Sequence, residues 1–213
     1  MQSKKGVVIL SGGLDSTVLL YKVLSEGFDV KVLSFDYGQK HKKELICAQD
    51  ICRRLRLDHK IIDLQNLNPL LQGSALTSDI SVPKGHYAED NMKLTVVPNR
   101  NMIMLSIATG YAVSTGASDV FFGAHAGDHA QYPDCRKQFI EQLSALTEIA
   151  NFQSVKVFAP FIEIDKGDIA RLGIGLKVPF QLTWTCYEGG DRPCLSCGSC
   201  VERCFAFQKT GNK

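Results

Sequence analysis

Two strings in this 213-residue chain could do chemistry. The first is Ser11-Gly12-Gly13-Leu14-Asp15-Ser16-Thr17, a pattern suited to holding phosphate. Adjacent glycines let the backbone turn tightly and bring its N–H groups close to an anion. A helix that starts here adds the partial positive charge of its N-terminus, and Ser16 and Thr17 can donate hydroxyl hydrogen bonds. The string lacks the Gly-Lys-Ser/Thr of a Walker loop and the third glycine of the dinucleotide fingerprint. On glycine spacing alone, a plain turn with Asp15 or Ser16 capping a helix is an equal reading. The second string is Cys186-x7-Cys194-x2-Cys197-x2-Cys200, four thiols within fifteen residues. Thiolates bind Zn²⁺ tetrahedrally, and CxxC spacing lets one tight turn supply two ligands. Gly189, Gly190, Pro193 and Gly198 supply the bends. Four protein ligands close such a site, so it should stabilise the tail and do no chemistry. Cys204 is a fifth thiol of the cluster, but it lies after the apparent start of a helix, which leaves the first four as the expected ligands.

Three shorter strings accompany these. Asp36-Tyr37-Gly38-Gln39-Lys40-His41 has Glu44 one turn later. Val97-Pro98-Asn99-Arg100-Asn101 leads into a helical pattern, and Asp128-His129-Ala130-Gln131-Tyr132-Pro133-Asp134-Cys135-Arg136 follows a strand. Each has a plain reading. Tyr37-Gly38 can be a turn, Asn99 a helix cap, His41 a helix-start histidine, and Asp134 a cap after Pro133. Cys47 and Cys52 read as buried apolar fillers on a helix.

The elements that must position these residues alternate as β and α. Short β-branched runs at 7–10, 30–35, 60–63, 120–122 and 155–158 read as strands. Helical spacing recurs at about 15–26, 42–57, 101–114, 138–150 and 166–172. The pattern predicts an α/β fold, doubly wound around a mostly parallel five-stranded sheet. All three shorter strings then lie beyond the C-terminal ends of strands, where open α/β sheets bind ligands. Residues 64–94 lack periodicity, and a loop of that length tends to be functional. No repeat or linker divides the chain, so one domain over 1–213 is expected, with a cysteine-rich tail at about 180–213.

Composition closes off other classes. Lys+Arg number 24 and Asp+Glu 22, with 45% apolar residues, which excludes disorder and offers no basic block for nucleic acid. No apolar run reaches the roughly 18–20 residues of a membrane span, and the N-terminus does not resemble a signal peptide. A cytoplasmic protein is expected, in which disulfides are disfavoured. Five of the eight cysteines nonetheless fall in the last 28 residues, which favours metal over bridges.

Taken together, the strings resemble the pyrophosphate-loop ATPases. Within that superfamily they closely resemble the 7-cyano-7-deazaguanine synthases, over nearly the whole chain from Val7 to about Arg203. The resemblance implies an adenine nucleotide alpha hydrolase-like fold with a C-terminal zinc-binding tail. It implies a ligase that adenylates 7-carboxy-7-deazaguanine with ATP, forms the amide with ammonia, and dehydrates it to the nitrile with a second ATP. Leu10, Ser11, Gly12, Gly13, Leu14, Asp15, Ser16 and Thr17 would bind ATP, with Asp15 placing Mg²⁺. Arg100 and Lys166 would be catalytic phosphate contacts beside Asp15, although Lys166 also reads as a surface helix residue. Asp128 or Asp134 would read the base, Tyr132 would stack on it, and Arg136 would pair with the substrate carboxylate. Cys186, Cys194, Cys197 and Cys200 match the family's zinc site, one structural ion per chain, while Cys204 departs from its pattern of four. A homodimer is implied, with small-molecule substrates, no nucleic acid and no membrane, and with ammonia that is free or brought by another protein. Two rivals remain. A tRNA sulfur transferase would need reactive cysteines near the nucleotide and an added RNA-binding domain. A zinc-knuckle nucleic-acid binder would need a histidine ligand and flanking basic or aromatic residues, where the tail offers only Arg192 and Arg203.

Overall fold

The computed structural model describes residues 4–85 and 90–211. Residues 1–3 of the basic N-terminus, 86–89 of the irregular stretch and 212–213 of the tail lie outside the described residues. The chain runs β1 (Lys5–Ile9), α1 (Leu14–Ser25), β2 (Asp29–Asp36), α2 (Lys43–Leu55) and β3 (Asp58–Asp63). It continues through α3 (Arg100–Thr115), β4 (Asp119–Phe121), α4 (Lys137–Ile149), β5 (Lys156–Phe158), α5 (Lys166–Gly175) and α6 (Gly198–Gln208). The five strands form one sheet in the order β3-β2-β1-β4-β5, and every pairing is parallel. The predicted doubly wound sheet is therefore the observed one.

Parallel strands are covered on both faces and so read as continuous apolar runs, as Val7, Val8 and Ile9 do in β1. Alternate residues feed opposite layers. Val8, Leu10 and Val32 pack with Leu19 of α1, Ile51 of α2 and Ile169 of α5. Val7, Leu33 and Val120 pack with Leu105 of α3 and Leu143 of α4.

Boundaries depart from the periodicity by a residue or two at most ends. The helix predicted over 42–57 stops at Leu55, because Arg56 adopts the left-handed conformation at φ 55°. No glycine marks that stop in the sequence. The irregular stretch is not a free loop. It holds two short 3₁₀ turns, Gln65–Leu70 and Asp90–Thr95, and buries Leu76, Val82 and Met92. Lys84 also forms an isolated β-bridge with Cys197, which ties the stretch to the tail. The plain reading of Asn99 as the side-chain cap of α3 is not what the chain adopts. Asn99 is left-handed and caps nothing with its side chain, and instead Asp134 Oδ2 accepts the Asn101 N–H at 3.1 Å. An acceptor from a distant loop thus does the work expected of a local one.

Candidate nucleotide and substrate site

The strand order reverses between β1 and β4, and ligands bind where that reversal opens a crevice beyond the strand ends. The first glycine string turns there. Gly12 has φ +88°, and a Cβ on it would lie 2.0 Å from the Glu44 carbonyl oxygen, so only glycine lets the loop back onto α2. Gly13 stands at the N-cap of α1 with no side-chain cap, which leaves the helix's positive end for an incoming anion. The plain reading of Asp15 or Ser16 as that cap is not what the chain adopts. Ser16 Oγ instead accepts the Ser11 N–H at 3.1 Å, and Thr17 Oγ1 donates to the Gly13 carbonyl at 2.6 Å. From the tail, the Trp184 N–H donates to the Gly12 carbonyl at 3.0 Å.

Charge gathers beside this loop. Lys166, 8% exposed at the first position of α5, places its ammonium 3.2 Å from Asp15 Oδ2 and 2.5 Å from Glu202 Oε2 of α6. Burial works against the charge of Lys166, but Asp15, Glu202 and Asp128 outweigh it and hold the ammonium above the usual lysine range. The other oxygen of Asp15, Oδ1, is buried and has no hydrogen-bond partner among the described residues. A buried carboxylate oxygen without a donor is costly, and a cation would satisfy it. His125 is 1% exposed and accepts the Gly127 N–H on Nδ1 at 3.0 Å. Its proton therefore sits on Nε2, which lies 3.8 Å from Asp15 Oδ2 and 3.6 Å from Asp128 Oδ1.

A second group comes from the β2–α2 connection and the start of α3. Arg100 donates from Nη1 to the Tyr37 hydroxyl at 3.2 Å, and no carboxylate lies within ion-pair distance of it among the described residues. An arginine without a carboxylate, lining a cleft, is poised for a phosphate or a substrate carboxylate. Glu44 Oε1 accepts from Gln39 Nε2 at 3.1 Å and lies 3.5 Å from His41 Nε2. Burial pushes the Glu44 carboxyl up to about 8 and, with Arg100, pulls His41 down to about 3. Burial likewise lifts the Tyr37 phenol to about 12, so it stays a neutral donor.

The cleft between the two groups has a volume of about 200 Å³. It brings together Leu10, Ser11, Gly13, Leu14, Asp15, Ser16, Arg100, Asp128, Tyr132 and Lys166 of the residues singled out in the sequence. Gly12 and Thr17 support the loop from behind. Asp134 and Arg136 do not line the cleft. The first caps α3, and the second is exposed and donates from Nε to the His129 carbonyl at 3.0 Å. Lys166, which also read as a surface helix residue, is buried. Sequence reasoning passed over His125 and Glu202 and gave Glu44 no role. His125 follows Gly123-Ala124 directly beyond β4, a position that the strand-end rule marks. Nothing in the sequence signals that Glu202 reaches Lys166.

The four tail thiols converge as predicted, with all Sγ atoms within 4.8 Å of one another. A Zn–S bond of about 2.3 Å gives tetrahedral edges of roughly 3.8 Å, so a small contraction completes the site. Backbone N–H groups already point at the sulfurs, Cys194 N–H to Cys186 Sγ at 3.3 Å and Cys197 N–H to Cys194 Sγ at 3.2 Å. Cys197 caps α6 and Cys200 lies in its first turn, whereas Cys204 is exposed farther along the helix and outside the group. Cys52 is buried as expected, while Cys47 is half-buried against the thiol cluster. Burial drives the Cys135 thiol far above the usual range, which makes it a poor nucleophile.

Comparison with known proteins agrees with this geometry. The family model described as "Queuosine biosynthesis protein QueC" matches residues 5–211. A protein of Marinobacter nauticus named 7-cyano-7-deazaguanine synthase is 54% identical over 96% of this chain and 93% of its own. One of the same name from Methanoregula boonei is 50% identical over 97% and 95%. Among solved structures, the U34-tRNA thiolase NcsA from Methanococcus maripaludis, with its [4Fe-4S] cluster, aligns with TM-score 0.54 at 18% identity. It covers 99% of this chain and 66% of its own. A 4-thiouridine synthetase in complex with RNA and ATP aligns with TM-score 0.53 at 20% identity, over 98% and 50%. This chain thus spans between half and two thirds of those longer chains, and the likeness is one of fold.

Proposed function

The chain belongs to the QueC family of queuosine biosynthesis proteins, and on that premise we propose that it converts 7-carboxy-7-deazaguanine and ammonia to 7-cyano-7-deazaguanine at the expense of ATP. The observation that carries the reading is the pairing in one cleft of a phosphate loop, whose Asp15 has an unsatisfied oxygen, with an arginine, neither of which finds its natural partner among the described residues.

A carboxylate is a poor electrophile until it is given a leaving group. The loop N–H groups and the start of α1 receive the phosphates, and charge that grows on the departing pyrophosphate is met by Lys166 and Arg100. Asp15 would hold Mg²⁺, which shields the phosphate charge. The unsatisfied Oδ1 fits that task, with Lys166 fixing the other oxygen. Tyr132 and Asp128 line the cleft and form the proposed base-binding wall, Tyr132 being held by a 2.6 Å hydrogen bond between its hydroxyl and Thr95. Asp134 and Arg136 act from outside the cleft, ordering α3 and the loop that carries Tyr132.

The four cysteines would hold one Zn²⁺ that fixes the start of α6. The whole chain acts as one ATPase domain with its tail, in the cytoplasm and on small molecules. Exposed Ile149 at the end of α4 and Phe152 just beyond it offer an apolar patch for pairing two copies. No described helix is long and apolar enough to cross a membrane.

The deciding experiment incubates the protein with 7-carboxy-7-deazaguanine, ammonium and Mg-ATP. Nitrile with two AMP and two pyrophosphate per turnover is expected. ADP and phosphate alone, or an unconsumed carboxylate, would overturn the reading. The thiolase reading is disfavoured by Cys135, the cleft's only cysteine among the described residues, because burial keeps it protonated. A brown, iron-containing protein that transfers sulfur to RNA would favour it instead.

A further inference from the structure

The nitrogen that enters as ammonia ends as the nitrile nitrogen, so it must lose every proton it carried. Its lone pair first forms a C–N bond to the adenylated carbon, and the C–O bond breaks with its electrons on AMP. One proton leaves nitrogen, and the amide results. The amide oxygen then attacks the α-phosphorus of a second ATP, releasing pyrophosphate, and a second proton leaves. Finally the C–O bond breaks to AMP, the third proton leaves, and C≡N forms. A base is needed beside one atom three times over.

Three carboxylates line the cleft among the described residues: Asp15, Asp128 and Glu44. Asp15 is bound to Lys166 at 3.2 Å and stands in the phosphate loop. Asp128 accepts the backbone N–H of His125 at 3.2 Å and faces the ring of the same residue. Glu44 differs from both. Its contacts, with Gln39 and His41, fall on Oε1, while Oε2 has no hydrogen bond among the described residues and the side chain keeps 12% exposure. The backbone at Glu44 is also fixed against the phosphate loop, since its carbonyl fills the space that a side chain on Gly12 would need.

We infer that Glu44 is the general base that takes protons from the nitrogen in both halves of this reaction. The inference rests on the function proposed above. Burial that raises the carboxyl to about 8 gives a base matched to an ammonium-like adduct near neutral pH, which an ordinary carboxylate is not. His41, held neutral, does not lock Glu44 into an ion pair, and Gln39 orients it. Tyr37 and the Cys47 thiol also feel the charge of Glu44, and Arg100 keeps its ionised form within reach.

The test separates activation from amination. Carboxylate-dependent exchange of labelled pyrophosphate into ATP reads the first, and amide and nitrile formation read the second. Glu44→Gln should change exchange by less than about tenfold and slow amination by about 100-fold or more, the usual scale for a general base. Hydroxylamine gives an adduct that sheds its proton far more readily, so hydroxamate formation should recover in the variant. Glu44→Asp keeps a carboxylate and should fall between the two, which also serves if Glu44→Gln folds poorly. Equal losses in exchange and amination, or undiminished amination, would overturn the assignment. Absence of exchange in the unaltered protein would instead sink the parent reading, and this one with it.

Discussion

Lys166→Met removes an ammonium while keeping a side chain of similar length. The change leaves Asp15 and Glu202 facing each other without the charge they shared at 3.2 and 2.5 Å. They can be no farther apart than those distances laid end to end, about 6 Å, and at an effective dielectric of about 20 their repulsion is roughly 3 kcal/mol. Urea unfolding at pH 7.5 should therefore find Lys166→Met about 3 kcal/mol less stable, at the low end for breaking a buried pair. Adding Glu202→Gln to it should return most of that loss. Glu202→Gln alone should cost only about 1 kcal/mol, because Lys166 keeps Asp15. The double-mutant cycle should thus show a coupling near 3 kcal/mol. A double variant no more stable than Lys166→Met at any pH would refute the shared-ammonium reasoning.

Asp15→Asn should cut adenylation at least about 100-fold, with the Mg²⁺ dependence of pyrophosphate exchange flattened and the circular dichroism unchanged. Gly12→Ala should lose about 3 kcal/mol or more in urea, since both φ +88° and the Glu44 carbonyl at 2.0 Å oppose a methyl group. Metal analysis should find one zinc per chain, lost in Cys197→Ser along with roughly 2 kcal/mol or more of stability. Glu44 is raised on folding from an ordinary carboxylate to about 8, so its stabilisation is full below the unfolded value near 4 and is lost as pH rises through 8. Glu44→Gln should accordingly flatten the fall in melting temperature between pH 5 and 9.

The architecture and the two principal motifs were legible because each depends on neighbours in sequence. The 7–10 run, the Gly12-Gly13 turn and the CxxC spacings act within a few residues, and the chain folds them as they read. What escaped depends on partners far apart. Glu202 meets Lys166 from 36 residues away, and no pattern along α6 distinguishes it from a solvated glutamate. Asp134 and Arg136 share a string with Asp128 and Tyr132, yet the short Pro133–Cys135 turn sends them elsewhere. One reaches α3 and the other the surface. Cys204, by contrast, was set apart by the helix start that precedes it, and helical geometry does carry it past the four-thiol group.

The contact from the Trp184 N–H to the Gly12 carbonyl bears on how the protein comes into being. The phosphate loop leaves the ribosome well before Trp184, Cys186 and Glu202, which lie more than 160 residues farther along the chain. A growing chain can complete α1 and pair β1 with β2 long before its loop is braced or Lys166 has its second carboxylate. The nucleotide site is therefore complete only once the tail has emerged and its four thiols have come together. A metal held by those thiols would then act on the yield of a braced nucleotide site from outside the cleft.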